Sequence, residues 1–388
     1  MAPVNRIASV VSSPATPPLP LARWFPANHQ SLCQWLQRLK PGPTAEPRLA
    51  VFDWDNTCIF NDIGEASFRY LLDTLSLRLT PQALDTLLPR RLAGTTTFDT
   101  GIVMAALAED IVAAYRTLWP QIEAGDAAAV RHSAAHRDFK AKLIYLYRAL
   151  EGSKAAGARY AYAWLPCFFA GLTPQAVSDL ATAAWTAGLA ERPGRVTWRS
   201  SSPGHAGLLA EKFHTGLALH TEVGDLMTAL QARGVQTVLI SASCELLVRG
   251  VVAALGLPVA PDAIYGMRLA TADGLLQPQL LHRGSYPHTY REGKLQIIRD
   301  HLKATPLLVA GDAETDLEML TGLPNTQVRL LINRNAEGDL RNLYRVALQP
   351  GQRSQITLLQ GRDENLGQFC SSQETIPLGE TRPRTLIV

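Results

Sequence analysis

Two kinds of hydrophobic patterning alternate along this chain. Short, largely apolar runs, Arg48–Asp53, Val235–Ser241, Leu307–Gly311 and Gln327–Ile332, recur along the chain, the first three ending at an acidic, hydroxyl or glycine residue. Runs of this length rich in β-branched residues predict strands buried on both faces. Segments with helical spacing, Gly224–Arg233, Leu246–Leu255 and Lys294–Leu302, lie between or beside them. Strands alternating with helices predict an α/β fold with a parallel sheet covered on both sides. Between the first strand and the rest the pattern changes. From about Gly64 to Leu219 alanine-rich, helix-period segments follow one another: Glu65–Leu79, Pro81–Leu92, Gly101–Trp119, Phe139–Leu150, Ala155–Ala170 and Pro174–Ala187. Pro193–Gly204 reads as a loop, and the whole stretch as an all-helical insertion of ordinary domain size. The expected division is a leader with an N-terminal helix (1–46), an α/β core (47–63 and 222–350), a helical cap (64–221) and a C-terminal tail (351–388).

Composition narrows the classes. The chain has 388 residues, 47% hydrophobic and 18% charged, with 37 basic against 34 acidic residues. Such a balance, without lysine- or arginine-rich runs, argues against a nucleic-acid partner. No apolar run reaches the roughly 18 residues of a membrane span. The five cysteines are scattered without a CxxC pair, which fits a reducing, cytoplasmic setting better than a disulfide framework. The apolar patch Ile7–Val11 is soon broken by Ser12, Ser13 and a proline cluster, so the first residues read as a flexible leader rather than an export signal.

The chemistry sits where the apolar runs stop. Asp53 and Asp55, two positions apart past the first strand, point the same way if the chain stays extended. Converging anions need a cation or a shared proton. A second acidic pair, Asp312 and Asp316, follows another predicted strand. Adjacent strand tips of this kind would collect hard oxygen ligands suited to Mg2+. Ser241 and the Ala242 N–H end a third strand, and Lys294 opens a helix with a compact positive charge. Ser243 competes with Ser241 for its place, and Lys303 or Arg291 with Lys294.

In this order, Asp53-x-Asp55-x-Thr57, Ser241, Lys294 and Gly311-Asp312-x-x-x-Asp316, the residues resemble the haloacid dehalogenase superfamily of phosphatases. Each motif alone is weak; the ordered set over about Arg48–Gly64 and Glu222–Ile332 is specific. The insertion after the first motif, and Tyr265–Leu269 followed by Asp273-Gly274, resemble the phosphoserine-phosphatase-like branch. The long cap is also similar to that of the phosphorylcholine phosphatases. The resemblance implies a Rossmann-like core and Mg2+-dependent hydrolysis of a small phosphorylated metabolite. Asp53 would be the nucleophile, and Asp55 the general acid and base. Asp53, Asp55 (through its carbonyl), Asp312 and Asp316 would form the metal set, and Ser241, Ala242 and Lys294 the phosphate site. Alternatives are a phosphotransferase of the same family or a non-catalytic phospholigand-binding protein.

The cap is less legible. Asp62, nine positions after Asp53, stands where the resemblance to phosphoserine phosphatases implies a carboxylate that meets the substrate ammonium, and Glu65 is a second candidate, although either suits a helix start equally well. Tyr160, Tyr162, Trp164, Phe168 and Phe169 could cage a quaternary ammonium. Tyr160, Trp164 and Phe168, spaced by four, would share one helix face, which favours packing. His132 and His136 lack a third partner for a metal.

Overall fold

The computed structural model describes residues 17–40, 42, 47–281, 286–349 and 355–386; most of the expected leader and part of the tail lie outside them. A six-stranded parallel sheet forms the core. Its strands run Ile356–Gln360, Val328–Ile332, Leu308–Gly311, Leu49–Phe52, Gln236–Cys244 and Ile264–Met267 across the sheet. The Leu49–Phe52 strand is central, all four residues buried, between the strands that end in Gly311 and Cys244. Because side chains alternate along a strand, Ala50 and Phe52 enter one apolar cluster while Leu49 and Val51 enter the cluster on the opposite face. The expected α/β class is observed.

Between the first strand and the Gln236–Cys244 strand lie the helices Ile63–Thr74, Pro81–Leu87, Met104–Glu123, Ala134–Gly152, Gly157–Trp164 and Pro174–Ala190. Helix starts are signalled as the sequence suggests: the side chains of Asp62, Thr80, Ser133 and Thr173 each accept an N–H of the first turn. The insertion is not wholly helical. Gly194–Arg199 and Ala210–Thr215 pair as an antiparallel hairpin, where a loop was expected. Its strands are short, half-polar and far apart in sequence, so the alternation of buried Phe213 and Thr215 with exposed Lys212 and His214 is easily lost among loop residues. The Pro174–Ala190 helix packs on the core helix Glu245–Leu255, and the larger apolar cluster runs through both regions.

Two further features concern the ends. The N-terminal helix spans Pro26–Arg38, with proline in its first turn. The expected tail supplies the Ile356–Gln360 edge strand and then the pair Arg362–Asp363 and Gln368–Phe369. Its apolar run is too short to announce a strand. Among the described residues, no helix is long and apolar enough to cross a membrane, and all five cysteines are unpaired.

Candidate active site

Register sets the site. Phe52 lies level with Ala310 on one side and Leu239 on the other, so the residues following these positions emerge together at one edge. That edge, beyond the carboxyl ends of the strands, is where open α/β sheets bind ligands. The Asp53 N–H is anchored on the Ala310 carbonyl at 3.0 Å.

Asp53, Asp312 and Asp316 are buried, and each offers a carboxylate oxygen within 4.8 Å of the others. Lys294, wholly buried, donates to Asp53 at 2.5 Å and to Asp316 at 2.6 Å. Asp316 also accepts the N–H groups of Asp312 and Ala313 at 3.0 and 3.1 Å, so both of its oxygens are engaged. A side chain at Gly311 would place its Cβ 2.7 Å from that of Asp316, so glycine is what lets the carboxylate reach back under the strand tip. The Thr57 hydroxyl lies 2.8 Å from Asp312 and 3.2 Å from Asp53.

Three carboxylates against the Lys294 ammonium and the Arg334 guanidinium, which bonds Asp312 at 2.9 Å, still leave a negative excess. Burial, then repulsion from Asp316, holds the Asp53 carboxyl well above its usual range, with Lys294 opposing. Burial opposes the charge on Lys294, yet Asp316 and Asp53 outweigh it and keep the ammonium protonated. The donor set is all oxygen, buried and under-neutralised, which fits a hard divalent cation such as Mg2+.

Asp55 lives differently. Its carboxylate accepts the Ile63 N–H at 2.7 Å and the hydroxyls of Ser241 and Ser243 at 2.9 and 2.8 Å. Burial nevertheless dominates and raises its pKa, these donors opposing. Ser241 is wholly buried; its hydroxyl donates to Asp55 and accepts the Ser243 N–H at 2.9 Å. Ala242 and Ser243, not Ser241, line the inner cavity of about 80 Å³ together with Asp53, Asp55, Lys294 and Asp312. Gly64 admits this arrangement, since a Cβ there would lie 2.7 Å from the Ser243 hydroxyl.

Of the competing cations, Arg291 is paired with Glu318 at 2.7 Å and Lys303 is exposed at a helix end. Asp62 caps its helix through the Glu65 N–H at 2.8 Å and lines both the inner cavity and an outer one of about 380 Å³. Glu65 lines only the outer cavity, its carboxylate held by Arg148 at 2.6 and 2.7 Å. Of the five aromatics considered, Trp164, Phe168 and Phe169 are buried in the apolar cluster and Tyr160 is exposed; Tyr162 lines both cavities. His136 is buried and bonded to the Leu72 carbonyl at 2.9 Å.

Two residues at the site went unnoticed in the sequence. Arg334 donates to Asp312 at 2.9 Å and lines both cavities; it follows the Val328–Ile332 strand, and the strand-tip rule that singled out Asp312 applies to it equally. Tyr147, also on both cavities, carried no signal within its helix.

Residues 203–321 match the family model of the haloacid dehalogenase-like hydrolases. Within that span the chain is similar to a haloacid dehalogenase-like hydrolase. The matched span contains Ser241, Lys294, Asp312 and Asp316; Asp53 and Asp55 precede it and join through the tertiary fold. The chain is similar to a solved structure titled a conserved functionally unknown protein from Anaerococcus prevotii DSM 20548: 22% identity, TM-score 0.83, covering 95% of this chain and 100% of that one. That likeness extends the shared fold over nearly the whole chain, cap included. A protein of unknown function from Bordetella pertussis Tohama I aligns at 13% identity and TM-score 0.44 over 81% of this chain and 99% of that one. No curated protein matches the chain by sequence.

Proposed function

We propose that the protein hydrolyses a small phosphate monoester through an aspartyl-phosphate on Asp53. The observation that carries this reading is the contrast between two neighbouring carboxylates. Asp53 bonds an ammonium and faces two further carboxylates, whereas the carboxylate of Asp55 is bonded by hydroxyl and amide donors alone. Pairs of acids in unlike environments divide into nucleophile and proton carrier. An Asp53 oxygen attacks phosphorus and the ester P–O bond breaks; the proton of Asp55 goes to the departing alkoxide. Asp55, now ionised, takes a proton from the water that attacks phosphorus in turn, and Asp53 is released.

Mg2+ would be held by Asp53, the Asp55 backbone carbonyl and Asp312, braced by Asp316, and would supply charge neutralisation for the phosphoryl oxygens. Lys294 has one N–H left after Asp53 and Asp316, and with the Ala242 N–H it would face the same oxygens, the Ser243 hydroxyl being spent on Asp55. Ser241 acts through Asp55, holding its carboxylate. The leaving group would emerge between Asp62, Tyr147 and Tyr162, and an amine-bearing one, as in phosphoserine or phosphocholine, would meet Asp62.

The test is turnover of p-nitrophenyl phosphate and a set of phosphorylated metabolites by purified protein with Mg2+. Asp53→Asn should lower kcat by at least about 10³-fold with an unchanged circular-dichroism spectrum. Normal activity in that variant refutes the nucleophile. A folded wild-type protein that binds but never cleaves these esters favours a binding protein.

A further inference from the structure

The outer cavity holds charge that the hydrolytic reading does not use. Of its acids, Glu65 and Glu151 are both held by Arg148, at 2.6 and 2.7 Å, and Asp62 is pushed well up by burial and then by Asp55 and Glu65. Of its other cations, Arg69 is spent on Glu191 at 2.5 Å and Arg334 on Asp312. Arg195 and Lys212 remain, both exposed and both lining the cavity. Among the described residues neither side chain has an ion-pair partner. In the hairpin register Arg195 faces His214 and Thr197 faces Lys212, so Arg195, Lys212 and His214 share one face. Burial and then the charge of Arg195 lower the His214 pKa, consistent with a positive field there.

This face is built rather than incidental. Behind it Phe213 packs under the Arg69 guanidinium at 5.1 Å and against Trp198, over which Lys140 sits at 4.4 Å. The turn of the hairpin is tied to the helices below. Asp138 accepts the N–H groups of Ser201 and Ser202 and the Ser202 hydroxyl, and Asp110 accepts those of His205 and Ala206 at 2.8 and 2.9 Å. Lys142, buried, bonds Asp110 at 2.7 Å and the Pro203 carbonyl at 3.0 Å. Asn56, Asp62, Tyr147, Tyr162 and Arg334 border both cavities, so the outer space continues the path of a leaving group.

We infer that the hairpin face carrying Arg195 and Lys212 is a specificity subsite for a second anionic group on the substrate, a carboxylate, sulfonate or further phosphate on the leaving-group side. Two like charges side by side repel unless an anion lies between them, and a cationic rim on a cleft concentrates such ligands. Arginine adds a planar fork matched to carboxylate or phosphate. The inference rests on the phosphatase reading and adds to it which esters are preferred.

The test compares kcat/KM, with Mg2+, for two matched pairs: phosphoserine against phosphoethanolamine, and phosphoglycolate against ethyl phosphate. In each pair only the first carries a carboxylate beyond the phosphate. The wild-type protein should prefer the anionic member by about tenfold, the scale of one or two exposed ion pairs, and the preference should shrink in high salt. In the Arg195→Gln/Lys212→Gln variant it should fall towards unity, chiefly through KM; Arg195→Glu/Lys212→Glu should reverse it. Equal preference in wild type and variant, or a wild-type preference for the uncharged or cationic leaving groups, overturns the subsite. Turnover without preference removes the subsite alone; no turnover of any ester by folded protein removes the phosphatase reading and the subsite with it.

Discussion

Asp53 is asked to be an ionised nucleophile in a place that favours its protonation. Burial and the nearby Asp316 raise its pKa, and the Lys294 ammonium with the Arg334 guanidinium does not offset three carboxylates. A divalent cation at Asp53 and Asp312 would reverse that balance, because it favours the charged forms. Adding Mg2+ to chelator-treated protein should therefore raise the unfolding temperature, since a ligand that binds only the folded state stabilises it. Asp53→Asn/Asp312→Asn should abolish that shift, measured by calorimetry without any activity assay; an equal shift in the variant would place the ion elsewhere. Most residues of this cluster were legible because each ends a recognisable strand or opens a helix. Arg334 obeyed the same rule, but a basic residue past a strand is common and drew no notice. Which of Ser241 and Ser243 meets the cavity was not legible at all, since their separation puts both on one side of the chain and both bond Asp55; only burial in the fold separates them.

At the scale of elements, the hairpin depends on the buried pair of Lys142 and Asp110. Their side chains are 2% and 6% exposed, and breaking such a pair strands a charge out of water. Asp110→Ala should cost about 3 kcal/mol, read from denaturant unfolding, and Lys142→Met in the same chain should recover part of the loss. Burial alone would raise Asp110, but Lys142 and the amides of His205 and Ala206 outweigh it and hold the carboxyl below its ordinary value. Its folded pKa is thus lower than its unfolded one. The stabilisation is present above the ordinary carboxylate range, near pH 4, and is lost as pH falls through the folded value. An Asp110→Asn/Lys142→Met protein should lose this component of the acid sensitivity. The cap helices were readable from their spacing and their capping residues. The hairpin was not: its partners are brought together by Asp110 and Asp138, which sit on helices distant in sequence.

Across the whole molecule, the C-terminal segment closes on the turn that follows Asp55. Arg362, almost wholly buried, donates to the Asn56 carbonyl and side chain at 3.3 and 3.2 Å and to Glu364 at 2.7 Å, with its guanidinium 4.9 Å from the Phe60 ring. Asn56 has a φ of 61° directly after Asp55, in the left-handed region that asparagine tolerates. Residues near the end of the chain thus hold the turn that follows the proposed acid. Arg362→Met should lower stability by about 2–3 kcal/mol, the scale of hydrogen bonds to a charged group, seen by thermal and chemical unfolding. It should also lower kcat more than it raises KM; an effect on stability alone would deny the segment a positioning role.

The amino-acid order was enough to establish an α/β core, an inserted cap and a set of strand-tip carboxylates with one lysine. Those features rest on interactions within a few residues, on side-chain periodicity and on where apolar runs end. Folding alone chose the partners: Lys294 against Asp53 and Asp316, the serines against Asp55, Arg334 over Asp312, Arg362 under Asn56 and the cationic hairpin face above the cleft. These pairings join segments tens to hundreds of residues apart, and they form because a buried charge or amide must find its complement wherever packing brings one.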